Sequence, residues 1–195
     1  MIIFDCEQGS PEWFECRLGI PTASMFSAIL AEGQGKTRRT YMLKLLGEQI
    51  TGEMQESYSN QHMERGQIME EDARNAYSLV TDLDPVLVGF IRNGDVGCSP
   101  DSLVNDNGLL EIKTKLPHLQ LDVLLKDEMP TEHKAQVQGQ IWVAEREWCD
   151  FVSYWPKLPL FIKRIYRDQK YIDTLKSEVD RFNEEMSELK QRIES

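Results

Sequence analysis

The sequence predicts an α/β fold: a small mixed central sheet flanked by helices and finished by a long C-terminal helix. Three observations carry that expectation. Apolar residues recur at helical spacing as far as Leu79, short β-type runs bounded by Asn-Gly and Pro follow, and an apolar seam begins at Ile172. In order, Thr22 or Ser24 caps a short helix over Met25–Leu30, which ends in the loop Glu32-Gly33-Gln34-Gly35-Lys36. Thr37 opens a second helix with Tyr41, Leu45 and Leu46 inward, closing near Gly52. A third runs from about Gln61 to Leu79 and carries Met63, Ile68, Met69, Ala73, Ala76 and Tyr77.

After Asp84-Pro85 the period changes. Val86–Ile91 reads as a strand ended by Asn93-Gly94, and Leu103–Lys113 as a hairpin around Asp106-Asn107-Gly108. Helices over Leu119–Lys126 and Glu132–Glu145 come next, then strands over Trp148–Trp155 and Leu160–Tyr166, separated by Pro156 and Pro159. In the last helix Ile172, Leu175, Val179, Phe182, Met186, Leu189 and Ile193 alternate steps of three and four. That stripe either packs on the sheet or presents its distal half to another subunit or a partner protein.

Composition narrows the class. The chain has 195 residues, 41% of them hydrophobic, which suits one globular domain over residues 1–195. No apolar run approaches the roughly 18 residues of a membrane helix, and MIIFDCEQGSPEW lacks a basic signal-peptide head. No membrane partner and a cytoplasmic location are therefore expected. Cys6, Cys16, Cys98 and Cys149 lack CxxC spacing, against a zinc ribbon or a disulfide framework. His62, His118 and His133 show no metal-ligand spacing, and Trp13, Trp142, Trp148 and Trp155 are expected in the core or an interface. The formal charge of −11 argues against nucleic acid as a partner, but only for the average surface.

The chemistry concentrates between Cys98 and Lys113. On a strand Glu111 and Lys113 share one face while Ile112 points to the other. Charges on an otherwise apolar strand are costly unless they pair or bind metal. With Asp106-Asn107-Gly108 as a three-residue loop, Asn105 faces Leu109, Leu103 faces Glu111 and Asp101 faces Lys113. A two-residue Asn107-Gly108 turn would instead throw Asp101 to the opposite face. Two carboxylates so placed can hold a hard divalent cation, and Lys113 can orient water or offset charge on a phosphoryl transition state. Upstream, Glu70 follows Gly66 by one turn, where glycine would allow close approach, and is a further ligand candidate. An ordinary surface hairpin and a solvated acidic helix face are the competing readings.

These residues resemble a known family. Gly66…Glu70, Pro100-Asp101 and Glu111-Ile112-Lys113 look like the PD-(D/E)xK nuclease pattern, the restriction-endonuclease-like fold. More closely, four ordered blocks resemble the lambda exonuclease and YqaJ-type alkaline nucleases of viral recombination systems. They are Glu12-Trp13…Arg17-Leu18-Gly19…Thr22-Ala23-Ser24, Gly66…Glu70…Asp72-Ala73-Arg74, Cys98-Ser99-Pro100-Asp101 through Lys113, and Ala135-Gln136-Val137-Gln138…Trp142-Val143. The resemblance implies a 5′→3′ exonuclease of phage or prophage origin. It would digest one strand of linear double-stranded DNA, leave a 3′ overhang, work as a ring-like homotrimer and serve a single-strand annealing protein. It further implies Mg2+, with Mn2+ substituting and two ions per site, held by Glu70, Asp101, Glu111 and the Ile112 carbonyl. Lys113 would then be the catalytic lysine and Gln136 the helix glutamine that supports the site.

Arg17, Ser24 and Ser99 match positions that anchor a 5′-phosphate. A family arginine beyond the catalytic lysine is replaced here by Leu119, with Lys115 or His118 as substitutes. Lys36, Arg38 and Arg39 are basic residues suited to DNA backbone contact. The chain then divides into an N-terminal helical part (1–60) with the phosphate contacts, a catalytic core (61–167) and the C-terminal helix (168–195). A PD-(D/E)xK endonuclease, an exonuclease of the other polarity, and a non-catalytic DNA-end-binding or scaffold module are the alternatives.

Overall fold

Two sheets and seven helices organise the computed structural model, which describes residues 1–31, 36–54 and 61–195, with no side chains described over 61–68. The glycine-rich loop at 32–35 lies outside the described residues, and the readings placed on His62, Met63, Gly66 and Ile68 concern side chains that are not described. In chain order the elements are β1 (Ile2–Phe4), α1 (Pro11–Cys16), a 3-10 turn (Ala23–Met25), α2 (Phe26–Leu30), α3 (Lys36–Thr51) and α4 (Gln61–Thr81). Then come β2 (Pro85–Val86), β3 (Phe90–Asn93), β4 (Val96–Cys98), β5 (Ser102–Val104), β6 (Gly108–Thr114) and α5 (Pro117–Lys126). The chain closes with α6 (Lys134–Val143), β7 (Trp148–Tyr154), β8 (Phe161–Tyr166) and α7 (Gln169–Glu194).

The main sheet is mixed, in the order β2-β5-β6-β7-β8, with β6 and β7 parallel and the other pairs antiparallel. One core holds Leu109, Phe151, Val137 and Ile141 together with residues of α2, α3 and α7. The other packs Leu110, Ile112 and Val152 on Ala73 and Tyr77 of α4. Asp168 caps α7 by accepting from the Tyr171 N–H at 3.1 Å. The seam of α7 is spent on its own fold: Ile172, Leu175, Val179, Phe182 and Met186 are buried, Leu189 half-buried, and Ile193 exposed. Among the described residues no helix is long and apolar enough to cross a membrane.

Three departures from the sequence reading have physical causes. The expected strand Val86–Ile91 divides, Pro85–Val86 joining the main sheet and Phe90–Asn93 a small sheet in the order β1-β3-β4. Between them the carbonyls of Val88 and Gly89 accept from Gln8 Nε2 and Trp13 Nε1, at 3.0 and 3.2 Å. Side-chain donors thus replace a ladder there. The hairpin loop is odd-length as required, but it is Asn105-Asp106-Asn107, with Val104 opposite Gly108 and Ser102 opposite Leu110. The anticipated pairs Asn105–Leu109, Leu103–Glu111 and Asp101–Lys113 do not form. Asn107 is fastened to the start of β7, its carbonyl accepting from the Glu147 N–H at 2.8 Å, and a Cβ on Gly108 would stand 2.2 Å from the Trp148 ring. Gly108 therefore belongs in the ladder, and Asn105 takes the left-handed turn position at φ 50°. Finally, Thr22 precedes the 3-10 turn without a side-chain capping bond, so neither it nor Ser24 is the cap the sequence suggested.

Candidate active site

Strand β6 separates apolar from charged chemistry by its alternation. Leu110 and Ile112 face α4, whereas Glu111 meets α6. Glu111 is 2% exposed. Its Oε1 accepts from Gln136 Nε2 and from Lys113 Nζ, each at 2.6 Å, and its Oε2 accepts from Gln140 Nε2 at 2.6 Å. Gln136 and Gln140 lie one turn apart on α6, so both amides reach the same carboxylate. Gln136 is the helix glutamine that the family resemblance implies; Gln140 is not among the expected site residues, although the Gln-x-x-x-Gln spacing stands in the sequence.

Asp101 immediately precedes β5. Its N–H donates to the Leu110 carbonyl at 3.1 Å, the same residue that Ser102 faces in the ladder, so the strand is offset by one position where Asp101 enters it. Its Oδ2 accepts the Ile112 N–H at 2.5 Å, so the Ile112 peptide borders this carboxylate. From α4, Glu70 accepts from Arg74, whose Nε also donates to Ser102 Oγ at 3.1 Å. Ser102 Oγ in turn donates to the Asp101 carbonyl at 2.5 Å, linking helix to strand. A cavity of about 680 Å³ opens beside Glu70, Arg74 and Asp101.

The electrostatics of this cluster are unbalanced. Burial, then Glu111 and Glu70, hold the Asp101 carboxyl well above its ordinary range. Burial also raises Glu70; Arg74 opposes the rise and Glu111 adds to it. For Lys113, burial alone would lower the ammonium, but Glu111 and Asp101 outweigh it and the net direction is upward. Three carboxyl groups thus share two cationic side chains, Lys113 and Arg74. Among the described residues no three acidic side chains already form a cation cage, because Glu70 turns to Arg74 and Glu111 to its amides and Lys113. The donor chemistry still fits a hard divalent cation: carboxylate oxygens and a peptide carbonyl with a charge to neutralise.

A second set of groups surrounds Arg17. Ser10 caps α1 by accepting from the Trp13 N–H at 3.2 Å, and Pro11 occupies the first helical position. Trp13 so placed donates Nε1 to Ser99 Oγ at 2.8 Å, and its ring lies 3.8 Å below the Arg17 guanidinium. Arg17 Nη2 donates to Thr22 Oγ1 at 3.4 Å, which hydrogen-bonds Ser24 Oγ at 3.3 Å. Arg17, Ser24 and Ser99 therefore form one continuous set, with Trp13 and Thr22, both in the first family-like block, as connectors. Trp13 is half-buried. Helix α6 touches this region too: a Cβ on Gly139 would stand 2.5 Å from the Phe26 ring.

The other basic candidates divide. Arg38, a candidate for DNA backbone contact, donates to both Glu185 carboxylate oxygens at 2.6 and 2.9 Å and so clasps α7. Lys36, Arg39, His118 and Leu119 are exposed, the last two in the first turn of α5. Lys115 Nζ lies 3.2 Å from Glu132 Oε1 and 3.1 Å from His133 Nε2. Burial, then Lys115 and Lys113, push the His133 imidazole down to about 4. A neutral ring can accept from Lys115 and stack on Phe151, 5.2 Å between centroids.

A family model described as the YqaJ-like viral recombinase domain matches residues 12–147. The structure is similar to the crystal structure of an alkaline exonuclease, LHK-Exo, from Laribacter hongkongensis, at 33% identity and a TM-score of 0.87, with 95% of this chain and 96% of that one covered. Against LHK-Exo in complex with dAMP the values are 34% and 0.88, covering 94% and 96%. A phage-related exonuclease from Haemophilus somnus 129PT shares the fold at 15% identity and a TM-score of 0.68, covering 89% and 96%. No curated protein matches this chain in sequence.

Proposed function

The chain belongs to the YqaJ-like viral recombinase domain family, and on that premise we propose that it is a Mg2+-dependent 5′→3′ exonuclease. It would digest one strand of linear double-stranded DNA and leave a 3′ single-stranded overhang. Its architecture is that of the PD-(D/E)xK alkaline exonucleases. The observation that carries the reading is the convergence of Glu70, Asp101, Glu111 and Lys113 on one acidic cluster beside an open cavity.

In this reading Glu70, Asp101, Glu111 and the Ile112 carbonyl would hold the cation. When bound, such an ion polarises a phosphoryl oxygen and lowers the pKa of water. Lys113, kept charged by Glu111 and Asp101, orients the attacking water and offsets negative charge developing on the phosphoryl group. Gln136 holds the Glu111 carboxylate toward the cluster. Arg17, Ser24 and Ser99 receive the 5′-phosphate through a guanidinium and two hydroxyls. Trp13 fixes the guanidinium plane from below. Work in a bacterial cytoplasm as a ring-like homotrimer, delivering single strands to an annealing protein, completes the proposal.

One digestion series tests it: linear duplex with 5′-phosphoryl ends, linear duplex with 5′-hydroxyl ends, and a closed circle, each with Mg2+ and with EDTA. Loss of the 5′-labelled strand from the phosphorylated duplex, an intact circle and no reaction in EDTA are expected. Cleavage of the circle, or digestion that begins from the 3′ end, would overturn the assignment.

A further inference from the structure

We propose that Gln140 is a positioning residue that locks the Glu111 carboxylate for cation binding and leaves Oε2 as the oxygen with a free lone pair for the ion. The inference rests on the metal-dependent reading above and deepens it. A carboxylate offers about four lone-pair directions. Two on Oε1 are taken by Gln136 and Lys113, and one on Oε2 by Gln140. Bonds to Oε1 alone would hold one oxygen and let the other swing about it. Gln140 grips the second oxygen and removes that freedom.

The amide itself shows what orients it. Gln140 is 1% exposed, and its own Oε1 finds no donor among the described residues. Only the NH2 end has a partner, and that partner is Glu111. Turned over, the amide would set its carbonyl oxygen against the carboxylate, two acceptors without a proton between them. The helix has little latitude either, because Gly139 beside it packs against Phe26 and Ala23 without space for a Cβ. A buried glutamine with one end unsatisfied and the other on a catalytic carboxylate is placed for Glu111 rather than for packing.

The test uses Gln140→Met, which keeps the volume and removes the donor. Mn2+ binding to the full-length protein without DNA is followed by the electron paramagnetic resonance of free Mn2+. The Mn2+ Kd is expected to rise about tenfold, with a matching rise in the Mg2+ needed for half-maximal digestion. Tm in EDTA should move by no more than about 3 °C. Unchanged Mn2+ affinity would overturn the proposal, whatever happens to Tm. If Gln140→Met does not fold, Gln140→Asn withdraws the amide by one methylene and carries the same expectation. Glu111→Gln in the same titration separates the two readings: if it too leaves Mn2+ affinity unchanged, the metal assignment of the site fails. If it weakens binding while the Gln140 variant does not, only the role of Gln140 fails.

Discussion

Two carboxylates lie equally deep on neighbouring strands of one sheet, Asp150 on β7 and Glu111 on β6, each 2% exposed. Asp150 is closed off. It accepts from Tyr77 Oη at 2.7 Å and from Arg164 Nε and Nη2 at 2.8 Å each, and that guanidinium lies 3.6 Å from the Trp148 ring centroid. One acid meets one base, and a phenol and a ring complete the shell. Glu111 instead draws on neutral amides and on a lysine that must also answer Asp101 and Glu70. Depth alone therefore does not mark function. What separates the two sites is whether local charge is balanced by the chain itself or left for something that binds.

The largest effect that could break this contrast is on catalysis. Lys113→Ala or Glu111→Gln should lower digestion by about 10² to 10⁴-fold, and for Glu111→Gln Tm in EDTA should stay level or rise, since it relieves repulsion with Asp101 and Glu70. A large fall in Tm would make Glu111 a structural acid like its neighbour. Next in size, Asp150→Ala strands Arg164 and Tyr77 and should cost about 3–5 kcal/mol, a Tm drop on the order of 10 °C. Mn2+ affinity at 25 °C should be retained; its loss would merge the two sites. Smaller again, Arg17→Ala should reduce the preference for 5′-phosphoryl over 5′-hydroxyl ends about tenfold, measured as the ratio of initial rates. An unchanged ratio would detach that set from phosphate.

The smallest effect concerns His133, which borders Lys113 and Lys115. Its folded pKa of about 4 lies below the ordinary 6.5, so its contribution to stability is fully present above pH 6.5 and is lost as pH falls toward 4. Tm should fall over that interval, and Gln at this position should flatten the slope. A slope equal to that of the parent protein would show that the ring is not held neutral.

Much of the site was legible because its logic is local. The period-two alternation places Glu111 and Lys113 together, and the odd hairpin loop with the Asp101 bonds to Leu110 and Ile112 brings Asp101 beside them. The register within that parity was not legible, since Asn107 is anchored by Glu147 and Trp148 across 40 residues or more. The helices α3 and α7 declared themselves by long apolar spacing. By contrast β1 is three residues long and pairs with a strand near residue 91, and the break after Val86 depends on side-chain donors from Gln8 and Trp13. The Arg38–Glu185 clasp joins residues 147 apart, beyond any local pattern. Gln140 reads as an ordinary helix residue until its helix is laid on β6.

The parallel pairing of β6 with β7 has a consequence for how the protein is made. Parallel neighbours require a crossover, and here the crossover includes α6, which delivers Gln136 and Gln140 to Glu111. A chain emerging from the ribosome presents Asp101, Glu111 and Lys113 well before that helix and β7 exist to hold them. Asp101 and Glu111 thus wait for later residues before the cluster can close. The proposed site cannot be assembled until translation has passed Tyr154, the last residue of β7.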